Sequence, residues 1–480
     1  MNCENNKKKL LRLIDAKAKI FTDVSDNIWG YAETRFDLEK SSALLISTLE
    51  NEGFSIERGT AGMEHAFVAT FGTGGPVVGI LAEYDALSDL SQICDAAEKH
   101  ALTPDGNGHG CGHNALGSGA LAAAVGLKDL LSSEGQPGTI KLFGCPAEES
   151  GSGKAFMARA GVFDGTDVMF TWHPWTETRM WGFSSLANYQ VYFHFNGISS
   201  HAAASPERGR SALDALELMS VGVNYLREHI AQEARIHYAY TNAGGTSPNV
   251  VQSNASALYF VRAPKSSQLR QIMGRVTDIA KGAALMTGTT VDIEWDSACS
   301  EYIVNDSLGR VMYENMRSLG GIEYSDEEKE YARAYTATLP ETSKQGVADL
   351  IKQCFAPIDT QTAETMASEP LQSELFPYMM GNSVMPGSTD VGDASWVVPT
   401  AQALVTCYPT GTASHSWQWV AAGKSSVVHK GLIYAGKVIA MTALDVICDP
   451  EIAPRAKREH LGRLGGERYT CAIPENVQPR

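Results

Sequence analysis

Three short runs in the first third of the chain are apolar on both faces, and each ends in residues that can do chemistry: PVVGILAEYDAL, TIKLFGCPAEES and DVMFTWHP. A run that is apolar at every position, not at alternate ones, suits a strand covered by helices on both sides, which is the setting of a parallel sheet. AFVATFG adds a further strand, and the small-residue stretch ALGSGALAAAVGLKDLL between the runs has the length and pattern of a helix. This alternation predicts an α/β domain with a central, mostly parallel sheet flanked by helices. In such sheets functional residues collect where strands end, so EYDAL, PAEES and WHP become the first places to look.

From about residue 186 the rhythm changes. NYQVYFHF alternates, and a helix over Ser211 to His229, the strands IHYAYTN and SALYFVRA, and a helix from Ser267 to Met286 follow. This order predicts a compact two-layer α+β insert whose sheet has one solvated face. After about 300 the chain returns to mixed α/β character. The polar stretch YSDEEKEYARAYTATLPETSKQG reads as a solvated helix and loop, and KGLIYAGKVIAMTALDVI as the last long helix. The expected division is 1–185 and 301–480 for the two parts of one domain and 186–300 for the insert.

With 480 residues the chain can bury a large core without staples, so any metal it binds is there for chemistry. Its net charge of −16 opposes a phosphate backbone or an anionic membrane, which excludes nucleic acid and a membrane surface as expected partners. The basic tail around Arg455, Lys457, Arg458, Arg463 and Arg468 reads as a solvated helix end. Nine scattered cysteines and an N-terminus that reads as a charged amphipathic helix point to a reducing compartment, and a cytoplasmic location is expected. No window of 18 uninterrupted apolar residues suggests a membrane span.

The strongest local signal is GHGCGHN, which places His109, Cys111 and His113 within five positions at a strand-to-helix junction. Thiolate and imidazole both bind zinc-like ions, and the glycines let backbone approach a metal. In CPAEES, Glu148 and Glu149 leave a strand in different directions, so one can bind metal while the other accepts a proton from water. A bare Glu-Glu pair is usually solvated surface; its place directly after TIKLFG gives it weight. His173 ends a strand before Pro174, and His415 lies in TASHSWQW; either alone reads as structural, and together with the clusters they complete a count for two ions sharing a water. His201, in SSHAAASPERGRSAL, is a base, a ligand or a donor to a developing oxyanion. On residue type alone, Asn249 is a turn asparagine and Arg262 a surface arginine. FGTGGP lacks the Lys-Ser/Thr of a phosphate loop and reads as a hairpin-like turn, and no GxSxG elbow occurs.

Taken in order, EYDAL, GHGCGHN, PAEES, WHPW, SSHAAASPERGRSAL, SPNVV, STDVGDASW and SHSWQW resemble the di-metal amidohydrolases and peptidases that include aminoacylases, carboxypeptidase G-type enzymes and plant auxin-conjugate hydrolases. The match runs from about 27 to about 440. The resemblance implies a di-zinc exopeptidase-like catalytic domain with an inserted lid and dimerisation domain. It implies Cys111, His113, Glu149, His173 and His415 as ligands of two divalent ions, zinc or manganese, with Glu148 as general base and His109 as a neighbour. Catalytic His201 and substrate-binding Asn249 and Arg262 match lid positions, which in relatives can reach into the active site of a partner chain. The implied reaction is hydrolysis of an amide between an acyl or aroyl group and an amino acid, with a glutamate-type amino acid expected, by a homodimer or a heterodimer with a related chain. Departures occur at Asn114, Ser88 and Cys145, where relatives often carry Asp, Pro and Gln. Rival readings are a non-catalytic or partner-dependent member of such an assembly and a cysteine hydrolase built on Cys111.

Overall fold

The computed structural model describes residues 3–379, 381 and 383–480. Among the described residues, eleven strands form two sheets: β1 (Ser55–Arg58), β2 (Phe67–Thr73), β3 (Val77–Glu83), β4 (Gly138–Cys145), β5 (Val168–Trp175), β6 (Arg179–Met180), β7 (Ala187–Asn196), β8 (Arg235–Asn242), β9 (Asn254–Ala263), β10 (Thr290–Cys299) and β11 (Thr400–Thr406). The larger has the order β1-β2-β4-β3-β5-β11-β6. Its centre, β4-β3-β5-β11, is parallel, and antiparallel strands close both edges. The central strands are buried almost throughout, as their apolar runs require.

FGTGGP does not make a hairpin: β2 and β3 are separated by β4, which pairs with both. Gly72, at φ 81°, lies so close to β4 that a Cβ there would sit 2.1 Å from the Gly138 carbonyl oxygen. The glycines therefore admit the start of β4 where a hairpin would have brought β3.

Helices His113–Glu134 and Ser426–Cys448 are long and apolar enough to cross a bilayer, but most of each is buried inside the fold. They pack on one another closely: a Cβ at Gly436 would lie 2.8 Å from that of Ala122. Small residues are needed at that crossing, which explains the Gly/Ala-rich pattern of both.

The second sheet, β10-β7-β9-β8, is antiparallel throughout. Strand β9 alternates buried and less buried positions, the buried set packing with helices Ala212–Leu226 and Ser266–Thr287. The polar stretch read as a solvated helix and loop, 324–346, holds one helix and the start of a second. A Ser325–Glu328 capping box opens helix Asp326–Thr336, and helices Glu341–Cys354 and Thr360–Ser368 follow around a small core of Ile351, Ala363 and Phe376. Too few apolar positions repeat there for a sequence reading to resolve three amphipathic faces.

Candidate metal centre

The register of the parallel strands carries Glu83, Cys145 and His173 to one end of the sheet, where Glu83 pairs with Cys145 and His173 with Leu404. Just beyond β4, Ala147 adopts a left-handed φ of 59°, and its carbonyl accepts from Gly151 N–H, closing the turn that presents Glu148 and Glu149. Such a conformation costs about 1–3 kcal/mol in a non-glycine residue and persists where surrounding structure imposes it. His415 is likewise left-handed, its N–H donating to the Gly110 carbonyl at 2.8 Å. That bond ties a distant segment to the GHGCGHN loop.

Two trios of ligand atoms result, Cys111 with His113 and His173, and Cys111 with Glu149 and His415, each lying within 4.8 Å of one another. Cys111 belongs to both. Its Sγ is 3.4 Å from His173 Nε2, and His415 Nε2 is 3.4 Å from Glu149 Oε2. The opposite ring nitrogens are already engaged: His113 Nδ1 donates to Asp85 at 2.9 Å, and His173 Nδ1 to the Pro174 carbonyl at 2.8 Å. Fixing the proton on Nδ1 turns the Nε2 lone pair inward, the usual outer-shell arrangement of a metal-binding histidine. Asp85 also accepts from Glu149 N–H at 2.9 Å, so one carboxylate orients members of both trios.

His113 Nε2 and Glu149 Oε1 are buried without a hydrogen-bond partner among the described residues. Buried acceptors left unpaired are costly, and a cation would satisfy both. Burial pushes Glu148 well above the usual carboxylate range, with Glu83 and Glu149 adding to the effect, and burial raises Glu149 to about 7. Burial lowers His173 to about 4, keeping it neutral. Burial opposes charge on His113, and Cys111 and Asp85 outweigh it to raise that ring well above the ordinary histidine value. A crowded carboxylate cluster beside imidazoles and a thiol is a donor set that fits divalent ions.

His109, by contrast, is turned to structure. Its Nε2 donates to the Ile28 carbonyl at 3.0 Å, and burial lowers it to about 3.

A third trio joins Glu83 to His113 and Glu148; as a site residue Glu83 escapes a reading of the sequence, as do Lys154 and Asp390. Fully buried Lys154 bridges Glu83 at 2.7 Å and Asp390 at 2.6 Å. Burial opposes its charge, and the two carboxylates outweigh burial to hold it protonated. Glu83 and Asp85, spaced i, i+2 at the end of a strand, share one side of the sheet, and that spacing is the available signal for Glu83. Lys154 offers none, because a lone lysine directly after a Gly-Ser-Gly loop looks like solvated surface.

Arg262 faces the cluster. It lines a small pocket of about 130 Å³ with Glu148, Glu149, His415, Asn188 and Ser388, donating to Ser388 Oγ at 3.2 Å while its Nε stays unpartnered among the described residues. His201 and Asn249 are exposed and do not line that pocket. They meet each other: Ala202 N–H donates to the Asn249 carbonyl, and His201 Nδ1 accepts from Ala203 and Ala204, leaving Nε2 as the donor. Within one chain the structure thus gathers Cys111, His113, Glu148, Glu149, His173, His415 and Arg262, and leaves His201 and Asn249 outside.

Residues 79–379 match the profile of peptidase family M20/M25/M40. The chain is 44% identical over 466 residues, 97% of each chain, to one of the subunits of the p-aminobenzoyl-glutamate hydrolase of Escherichia coli. It is 29% identical to the Xaa-Arg dipeptidase of Mus musculus, covering 96% of this chain and 93% of that one. Among solved structures, an aminobenzoyl-glutamate utilization protein from Klebsiella pneumoniae superposes with a TM-score of 0.60 at 18% identity, over 91% of this chain and 98% of that one.

Proposed function

This chain belongs to peptidase family M20/M25/M40, a hydrolase family, and from that premise we propose that it cleaves the amide between an acyl or aroyl group and an amino acid, with p-aminobenzoyl-glutamate, a related N-acyl-glutamate or a dipeptide as substrate. The observation that carries this reading is the pair of ligand trios sharing Cys111, with Glu148 beside one of them and Arg262 across the same pocket.

Cys111, His113, Glu149, His173 and His415 would hold two divalent ions, zinc or manganese. Bound there, the ions supply Lewis acidity to water and carbonyl. Glu148 takes the proton from water and delivers it to the leaving nitrogen. The protonated form favoured by its burial suits the second half of that cycle. Asp85 keeps the His113 ring and the Glu149 backbone in place throughout. Arg262 grips the substrate's carboxylate through parallel N–H donors from the wall of the pocket it lines. His201 and Asn249, exposed on the second sheet's side of the molecule, supply their donors to a second chain. That chain is a copy of this one or a related one; the bacterial relative is named as one subunit of a hydrolase whose other subunit is also similar to this chain, which supports the latter.

The reading is tested by Glu148→Gln in metal-loaded protein. Turnover of p-aminobenzoyl-glutamate falls by about a thousandfold, within the range for loss of a general base, while metal content is unchanged. Undiminished hydrolysis by this variant contradicts it. Chelators abolish activity, and thiol alkylation of metal-loaded protein does not, which separates this reading from a cysteine hydrolase.

A further inference from the structure

Beside His173 lies a separate cavity of about 290 Å³, walled by Trp175, Arg179, Met180, Trp181, Phe183 and Leu350. We infer that this cavity is the subsite for an aromatic ring on the acyl side of the scissile amide, an assignment that rests on the amide-hydrolase reading and gives it a substrate class.

Its position comes first. Trp175 follows His173 by two residues on β5 and so shares its side of the sheet, the two rings meeting edge-on with centroids 5.9 Å apart. Leu404, in register with His173, lines the same cavity. The cavity therefore begins one side chain away from a candidate ligand, the distance at which a ring attached to the reacting carbonyl must find its place.

The walls are flat and fixed. Trp181 and Phe183 pack at 4.7 Å between centroids, and the Arg179 guanidinium lies over Phe183 at 5.2 Å. Apolar cavities of about 150 Å³ accept a benzene ring, so the space is ample for a substituted one.

Trp181, 5% exposed, lines the cavity with its Nε1 covered by protein. What it offers an occupant is apolar ring surface, which a flat aromatic group covers and an acetyl group leaves bare. A carboxylate is the poorer occupant, because Arg179 already has a counter-ion in Glu177 at 3.1 Å, whereas Arg262, which lines the other pocket, has no carboxylate partner among the described residues.

The experiment compares kcat/KM for p-aminobenzoyl-glutamate and N-acetyl-glutamate in the metal-loaded full chain, with its partner chain where activity requires one. Leu350→Trp fills the cavity from the helix Glu341–Cys354 and lowers the aroyl-to-acetyl ratio more than tenfold. Trp181→Ala removes that ring surface and lowers the ratio three- to tenfold. An unchanged ratio in both variants overturns the assignment. Binding of p-aminobenzoate, followed by saturation-transfer NMR, gives a readout independent of turnover: binding to wild type that Leu350→Trp removes upholds the subsite even if no amide is cleaved, in which case only the hydrolase reading falls. Absence of binding, or binding indifferent to Leu350→Trp, overturns the subsite while hydrolysis of N-acetyl-glutamate leaves the hydrolase reading standing.

Discussion

His113, the first residue of its helix, and His201, in the loop ahead of one, both lie in small-residue stretches, yet their settings are opposite. His113 is fully buried, with Nδ1 held by Asp85 and Nε2 turned into a cluster of further ligand atoms. His201 is exposed, with Nδ1 spent on its own turn and Nε2 left as a donor. The first is completed by its own chain. The second has the geometry of a group that acts on something brought to it. The difference teaches that residue type and loop context do not decide a histidine's role; the partner of the second ring nitrogen does.

The largest expected effect sharpens that contrast. Cys111→Ala removes the ligand common to both trios and is expected to lose bound metal and at least a thousandfold in turnover, whereas His201→Ala is expected to keep full metal content and lose about 10²–10³ in turnover, the scale of an oxyanion donor. Metal analysis beside steady-state kinetics checks both. If His201 acts on a second copy of the chain, mixing the two inactive variants restores activity that neither has alone. Equal metal loss in both variants would break the comparison.

Next is stability within the buried side. Lys154→Met strands Glu83 and Asp390 without their shared cation and should cost about 3–5 kcal/mol in denaturant unfolding, as the loss of one partner of a buried ion pair does. Arg310, an exposed arginine paired with Asp306 on one helix, serves as the control: Arg310→Met should leave the unfolding midpoint where it is, because water and salt screen such a pair.

A smaller effect lies at the pocket between the regions. Arg262→Lys keeps the charge but loses the fork, and should raise KM for a glutamate-type substrate about tenfold with kcat little changed.

The smallest effect is in pH. Glu149 is raised by burial from the ordinary carboxylate value of 4.5 to about 7. Between those two values the folded protein holds a proton that the unfolded chain has released, so stability falls as pH rises through that interval. Glu148, raised in the same direction, adds to the slope. Buried His109 and His173, lowered to about 3 and about 4, act in the opposite sense below the ordinary histidine value of 6.5, so the glutamate contribution is read as a difference: relative to Glu149→Gln, metal-free wild type should lose thermal stability from the lower value to the higher.

Much of this is legible in the sequence. The apolar strand runs announce the parallel centre, and GHGCGHN, PAEES and WHP announce which strand ends carry ligands, because those side chains follow directly on the strands that place them. Glu83 and Asp390 are visible only as neighbours or members of motifs, and Lys154 not at all. A buried lysine is defined by carboxylates that arrive from β3 and from a turn more than two hundred residues away, which no local pattern encodes. FGTGGP misleads for the same reason: glycines indicate a tight approach but not which strand makes it. Arg262 looks like surface because the pocket it faces is assembled from both sheets.

The central claim is that one thiolate serves both ion sites, and X-ray absorption at the zinc edge of the fully loaded protein tests it most directly. A sulfur shell at about 2.3 Å, averaging one sulfur per zinc and vanishing in Cys111→Ser, is the expected result. A zinc environment made only of nitrogen and oxygen would contradict it.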